Sequence, residues 1–177
     1  MPHSPSHAHS TAPITDPNSP VLLRHPTAAD QAEYVALRRA SRAHLEPWEP
    51  RTIGQWTIKG FERTLHSCNT DRTQRFLICE AHRGGSNTPT PIVGQININE
   101  IVRGAFHSAY LGYWIGAPYV NRGYMTAALR LALHHAFHTL KLHRVEANIQ
   151  PHNTPSLAAA KKLGFRLEGL SPLYLKI

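Results

Sequence analysis

Apolar and polar positions alternate or recur along most of this chain, and the pattern divides it into short elements. Val21-Leu22-Leu23-Arg24 predicts a short strand. Thr27 sits where a helix cap belongs, ahead of a helix predicted near 28–45 with Tyr34, Leu37, Ala40 and Leu45 on its apolar side. Pro47 and Pro50 end that helix, and Ile53–His66 reads as a second one. Arg75–Ala81 and Ile92–Ile101 read as two strands, joined as a hairpin by the Gly/Ser/Thr/Pro segment 84–91. Ala109–Ile115 is a further strand that meets Gly116 and Pro118.

A helix over 124–140 follows, with Leu129, Leu133, Phe137 and Leu140 as one stripe. His143–Ile149 alternates, Val145, Ala147 and Ile149 against Arg144, Glu146 and Asn148. Thr154-Pro155 opens a short helix that Gly164 closes, and Phe165–Leu167 and Leu173–Ile177 are final strand material. The order of elements predicts one mixed α/β domain over 20–177. Residues 1–19, polar, aperiodic and with Asp16 as their one charge, read as a disordered tail, with His3, His7 and His9 as polar tail residues rather than a metal site.

Length and charge narrow the class. At 177 residues and 41% hydrophobic content, the chain can bury one ordinary core. Cys68 and Cys79 are the only cysteines, which excludes a disulfide scaffold and a four-cysteine zinc site. No apolar run approaches the roughly 20 residues that span a bilayer, so a soluble, reducing, cytoplasmic setting without membrane contact is expected. The net charge of +8 favours an anionic partner. Residues 101–177 hold nine basic residues against only Glu146 and Glu168, so the excess is concentrated in the second half.

That half carries the densest chemistry. In Gly112-Tyr-Trp-Ile-Gly-Ala-Pro-Tyr-Val-Asn-Arg-Gly-Tyr-Met-Thr126 a strand enters a loop containing Arg122-Gly123 and passes straight into the long helix. Unpaired N–H groups and the positive dipole end of such a helix suit a phosphate or pyrophosphate, while Gly123 lets the backbone approach and Arg122 adds charge. A plain connecting loop has the same outline. The stretch matches neither the Walker loop nor the dinucleotide fingerprint, so a nucleotide hydrolase and a dinucleotide fold lose support.

Val102–Gly116 and Asn121-Arg-Gly-Tyr-Met-Thr126 resemble GNAT acetyltransferases of the RimJ/RimL type. So do His143-Arg-Val-Glu-Ala-Asn148, the following Ile149-Gln-Pro-His-Asn153, Ser156, Leu163-Gly-Phe165 and the early Leu45-Glu-Pro-Trp-Glu-Pro50. The resemblance runs over about 20–177 and is densest over 92–169. It implies the GNAT acyl-CoA N-acyltransferase fold: a mixed, largely antiparallel sheet flanked by helices. The acyl-CoA pattern Q/R-x-x-G-x-G/A falls on Val120-Asn-Arg-Gly-Tyr-Met125, which keeps Arg122 and Gly123 but has Val120 and Met125 at the other two positions.

By resemblance, acetyl-CoA is the donor and no metal is required. Tyr113, Trp114 and Ile115 would flank its pantetheine in a splayed gap between two parallel strands, with main-chain N–H groups there for the developing oxyanion. Val120, Asn121, Arg122, Gly123, Tyr124, Met125 and Thr126 would cradle its phosphates. Asn153 would touch the pantetheine arm, and Ser156 would lie near the sulfur.

The acceptor must be a neutral amine, and an N-terminal α-amine with a pKa of about 7.7–8 deprotonates more readily than lysine at about 10.4. Glu146, at the strand position of the catalytic glutamate in RimI-type enzymes, is the first candidate base. Glu100 is the second, and Ser156 is a candidate acid. The tyrosine acid of RimI-type enzymes falls on Ala160, so that role is absent or moved.

A protein N-terminus, as in ribosomal-protein-alanine acetyltransferases, is the expected acceptor. A small amine (polyamine, aminoglycoside or amino-acid derivative) and a decayed ribosome- or RNA-binding module are the rivals. Nucleic acid is expected only indirectly, through a ribosome.

His134 and His138 at i,i+4 read as solvated face residues, and the Trp48, Trp56 and Trp114 rings as packing, with Trp48 also open to lining the acceptor side. RimJ/RimL-like chains continue past the Tyr174-Leu-Lys-Ile177 equivalent with a turn and one more strand. The expectation is therefore a missing last strand whose exposed edge a partner chain, such as a second copy in a homodimer, would fill, or else a truncated sequence.

Overall fold

The computed structural model describes residues 11–50, 56–81 and 90–174. Five strands form one sheet in the order β1-β2-β3-β4-β5: β1 is Val21–Arg24, β2 Gln74–Glu80, β3 Ile92–Val102, β4 Ser108–Ile115 and β5 Arg144–Ala147. The first four pair antiparallel and β4 pairs parallel with β5, so the sheet is mixed and largely antiparallel as expected. The helices are α1 (Gln31–Ala40), α2 (Arg42–Leu45), α3 (Ile58–His66), α4 (Tyr124–His134) and α5 (Thr154–Lys162). None of them is long and apolar enough to cross a membrane.

Both faces of the central strands are covered, so β2 and β3 are buried along most of their length. On one face, Phe76, Ile78, Ile96, Ile98 and Leu111 pack with Ala128, Leu129 and Ala132 of α4. On the other, Leu77, Cys79 and Trp114 pack with Tyr34 and Val35 of α1 and Phe61 of α3. Arg24 grips Asp30 with two nitrogens (2.8 and 2.6 Å), and Asp30 also receives the Thr27 N–H (2.7 Å) and hydroxyl (2.9 Å), tying β1 to the start of α1.

Several expectations need correction. The tail does not stay free up to residue 19: Ile14 exchanges two main-chain bonds with Leu23 (2.7 and 3.0 Å) and packs on the core. His3, His7 and His9 lie outside the described residues. The helix near 28–45 is three pieces, a 3-10 turn at Ala28–Asp30 followed by α1 and α2, and it breaks at the fully buried Ser41. The Ser41 hydroxyl accepts the Ala117 N–H (2.9 Å), so a contact from beyond β4 fixes the break. Ala40 is exposed, and Val35 and Arg38 are buried in its place.

The second helix begins at Ile58, with Thr57 as its cap (3.2 Å to the Gly60 N–H), and residues 51–55 lie outside the described set. Most of the 84–91 loop does too. The long helix changes to a π turn at His135–Thr139, which rotates Phe137 to 40% exposed and buries Ala136 instead. The alternating segment 143–149 is a strand only over Arg144–Ala147. No strand forms over 165–174, and 175–177 lie outside the described residues.

Candidate active site

The site is built where β4 and β5 part. Their register runs Ser108–Arg144, Ala109–Val145, Tyr110–Glu146 and Leu111–Ala147, and there it stops. Gly112–Ile115 continue β4 beyond the last pair, held on their other side by β3 through Asn97–Gly112, Ile96–Tyr113, Gln95–Trp114 and Gly94–Ile115. One edge of this four-residue stretch is thus fixed while the β5-facing edge of its main chain is left open, so hydrogen-bonding groups are available without loss of rigidity.

Beyond β4 the chain crosses a 3-10 turn (Ala117–Tyr119) and enters α4 through Asn121, Arg122 and Gly123, all exposed. Gly123 has φ +77°, a left-handed conformation that leaves the first α4 amides facing outward, and a Cβ there would meet nothing within 4 Å. Asn121 is left-handed as well, at φ +60°. The Arg122 guanidinium lies 5.5 Å from the centre of the Tyr119 ring, and the Tyr124 hydroxyl donates to Glu80 (2.7 Å) at the end of β2. Open amides, one nearby cation and no side chain in the way make a cradle of the kind a phosphate fills.

Successive β4 side chains serve opposite faces. Tyr113 turns toward α5, where its hydroxyl lies 2.8 Å from Ser156 Oγ. Burial pushes the Tyr113 phenol up, against a smaller downward pull from Ser156, so the pair is protonated at neutral pH. Asn153 caps α5, its side-chain oxygen accepting the Ser156 N–H (3.2 Å), which leaves its NH₂ as the end able to reach a ligand. Ala160 is buried, in keeping with a packing role.

Trp114 turns the other way. Arg38 lies between Trp114 (4.7 Å) and Trp56 (4.4 Å) and grips Glu49 with two nitrogens (2.7 and 2.9 Å). This fixes the Glu46–Pro50 segment, including the half-buried Trp48, on the α1 side of the sheet. Gln150, after β5, donates to the Pro47 carbonyl (3.4 Å), so the same segment reaches both sides of the gap.

The two candidate bases lie on either side of Tyr110. Glu146 faces Tyr110 in the register and accepts from Arg144 Nε (2.8 Å), and Arg144 also holds Glu168. Glu100, at φ +48° where the β3–β4 register slips, pairs with Arg72 (2.5 Å). Burial first, then the negative charge of Glu100, pushes the Tyr110 phenol up. Neither carboxylate lies in direct contact with the Tyr113–Ser156 pair, and each has an arginine partner.

The structure adds residues that the sequence reading passes over. Gln95, Asn97 and Asn99 line the β3 face beside Gly112, and Glu80 reaches the loop through Tyr124. The signal for the first three was the repeat Gln-Ile-Asn-Ile-Asn in an otherwise apolar strand. Glu80 had none. His134 and His138 stack on each other (4.5 Å between centroids), and no group of three or more potential metal ligands occurs among the described residues. Burial pushes both thiols up, Cys79 to about 11, so neither is an activated nucleophile.

Comparison with known proteins gives consistent relatives. The family model described as acetyltransferase (GNAT) domain matches residues 21–166. The chain is 34% identical over 155 residues to the [Ribosomal protein uS5]-alanine N-acetyltransferase of Escherichia coli (strain K12), covering 82% of this chain and 73% of that one. It is 30% identical over 160 residues to the probable N-acetyltransferase YjcK of Bacillus subtilis (strain 168), covering 89% and 86%. Among solved structures, Mycobacterium smegmatis RimJ in complex with CoA-disulfide superposes with a TM-score of 0.76 at 34% identity, over 94% of this chain and 79% of that one.

Proposed function

Because the chain belongs to the GNAT acetyltransferase family and is an acetyl-transfer enzyme of the RimJ/RimL group, we propose that its acceptor is the N-terminal α-amine of a ribosomal protein and its donor acetyl-CoA. The observation that carries this reading is the likeness, over most of both chains, to an enzyme named for an alanine of ribosomal protein uS5. Support for the donor comes from the complex of Mycobacterium smegmatis RimJ with CoA-disulfide and from the fit of the loop, where Gly123 and Asn121 open the α4 amides. Arg122 and the amides of Gly123, Tyr124, Met125 and Thr126 hold the phosphates. Val120 contributes main chain, and the Asn153 NH₂ and the open edge of Tyr113, Trp114 and Ile115 hold the pantetheine arm.

Acetyl-CoA supplies an acyl thioester to the gap. The residues of the chain then divide the work. Main-chain groups at Gly112–Ile115 orient the acceptor and the acyl carbonyl. Glu146, directly or through water, takes the proton of the attacking amine, with Glu100 as the second candidate. Ser156, whose hydroxyl is held by Tyr113, gives a proton to the departing thiolate. Attack is direct, since neither cysteine is activated and no covalent enzyme intermediate is needed.

Mass-spectrometric acetylation assays on N-terminal peptides, polyamines and aminoglycosides test the acceptor. Preferred acetylation of a small amine would overturn the reading. Glu146→Gln and Glu100→Gln profiles over pH 6–9 test the base, and full rates for both variants across that range would remove both candidates.

A further inference from the structure

Strand β3 presents Gln95, Asn97 and Asn99 on the face that carries Trp114 and packs against α1, while Ile96 and Ile98 fill the core on the other side. Three successive carboxamides on one face of a central strand are costly unless their bonds are used. Their bonds run in one direction. The buried Tyr34 hydroxyl donates to Gln95 Oε1 (2.7 Å), and Gln95 Nε2 donates to Asn97 Oδ1 (2.6 Å). With its oxygen engaged, Asn97 turns its NH₂ outward, toward Gly112.

A Cβ placed on Gly112 would lie 3.9 Å from Asn97 Nδ2 and 3.2 Å from Asn99 Nδ2. Two amide donors on half-buried side chains therefore flank the first β4 residue beyond the last β5 pair, and the absent side chain of Gly112 is what makes room for them.

We propose that Asn97 and Asn99 recognise the carbonyl oxygen next to the acceptor amine, so that the site selects an α-amine followed by a peptide bond. This rests on the N-terminal reading above and deepens it. An NH₂ group only donates; a carbonyl oxygen accepts two such bonds, whereas an ammonium offers no acceptor at all. In an N-terminal residue the carbonyl carbon is two bonds from the nitrogen, close enough for the amine to lie at the gap while its carbonyl meets the two asparagines. A polyamine or a lysine side chain has no carbonyl there. The Tyr34–Gln95 bonds hold the Asn97 amide in this orientation in advance, which lowers the ordering cost of binding.

The test compares an N-terminal peptide with its analogue in which the first peptide carbonyl is reduced to methylene. Rates are measured for the unsubstituted enzyme, Asn97→Asp and Asn99→Asp, each of which turns a donor into an acceptor. The unsubstituted enzyme should favour the carbonyl-bearing peptide at least tenfold in kcat/KM, and each variant should cut that ratio about tenfold. The acetyl-CoA KM should stay within twofold. Asn97→Ser and Asn99→Ser, which retain a short donor, should recover part of the ratio, and they cover the case of an aspartate variant that does not fold. A ratio unchanged in the Asn99 and Asn97 variants overturns the assignment while leaving the N-terminal acceptor standing. An unsubstituted enzyme that acetylates polyamines and ignores both peptides overturns the N-terminal reading itself.

Discussion

The Arg38–Glu49 pair lends itself to a quantitative test because its two ends are buried to different extents. The Arg38 side chain is 4% exposed and the Glu49 side chain 19%. A guanidinium does not lose its proton in a protein, so Glu49→Gln leaves Arg38 charged and buried and takes away the carboxylate that it grips with two nitrogens. Breaking a buried pair in this way costs roughly 3–5 kcal/mol. The two tryptophan faces, at 4.4 and 4.7 Å, attract the cation by about 0.5–2 kcal/mol, so Arg38 is better compensated than a bare buried charge and the low end of the range for a broken pair applies. A net destabilisation of about 2–3 kcal/mol is therefore expected.

For a chain of this length about 1 kcal/mol moves the melting temperature by roughly 2–4 °C, so Glu49→Gln should melt roughly 5–10 °C lower. The double variant Arg38→Met/Glu49→Gln buries no charge, and it should be no less stable than Glu49→Gln alone. Urea unfolding of both single variants and the double closes the cycle, with a coupling of about 2 kcal/mol expected. Because the pair anchors Glu46–Pro50 beside the gap, Glu49→Gln should also raise the acceptor KM more than the acetyl-CoA KM. Single-variant losses that simply add in the double, or a Glu49→Gln loss below about 1 kcal/mol, would refute this account.

Three further outcomes follow from other parts of the molecule. Although burial alone would raise the Asp30 carboxyl, its bonds from Arg24 and Thr27 outweigh this and hold it below the usual aspartate value. The associated stability is present above about pH 4, the unfolded value, and is lost as pH falls through the lower folded value. Asp30→Asn should accordingly flatten the stability curve below about pH 4, and identical acid limbs in urea titrations would refute the link. Gly123→Ala meets no atoms but forces a left-handed residue, at a cost of about 1 kcal/mol. It should raise the acetyl-CoA KM severalfold and leave the acceptor KM unchanged; an acceptor effect of equal size would place the loop elsewhere in the mechanism. Ser156→Ala removes the proposed acid and the partner of the Tyr113 hydroxyl, so kcat should fall at least about tenfold with both KM values nearly constant. An unchanged kcat would assign the serine to packing.

Local chemistry makes α5 readable from its own residues to within one position: the cap is Asn153, one residue ahead of the Thr154 expected there, Pro155 suits the first turn, and Gly164 ends the helix at φ +86°. The elements that departed from expectation depend on distant partners. Ser41 looks like an ordinary helical residue until the Ala117 N–H bonds to it, and nothing near Phe137 announces a π turn. Arg38 is not among the apolar-side positions read for its helix; its burial goes with rings at positions 56 and 114 and a carboxylate at 49. Phe165–Leu167 and Leu173–Ile177 have a strand-like composition, but a strand exists only as part of a ladder, and among the described residues β5 pairs with β4 alone.

The site shows the same division. The loop from Gly112 to Thr126 was legible because the phosphate binding proposed for it uses consecutive backbone groups, which a contiguous motif can encode. The acceptor side was not, since it is assembled across strands. The period-2 repeat of Gln95, Asn97 and Asn99 says that they share a face. It cannot say that Tyr34, 61 residues from Gln95, orients the first of them, or that a glycine on the neighbouring strand makes room for the last two. On the proposed reading, donor recognition is written along the chain and acceptor recognition across the sheet, so substitutions at Asn97, Asn99 and Gly112 should change the acceptor while the proposed cofactor loop keeps its sequence.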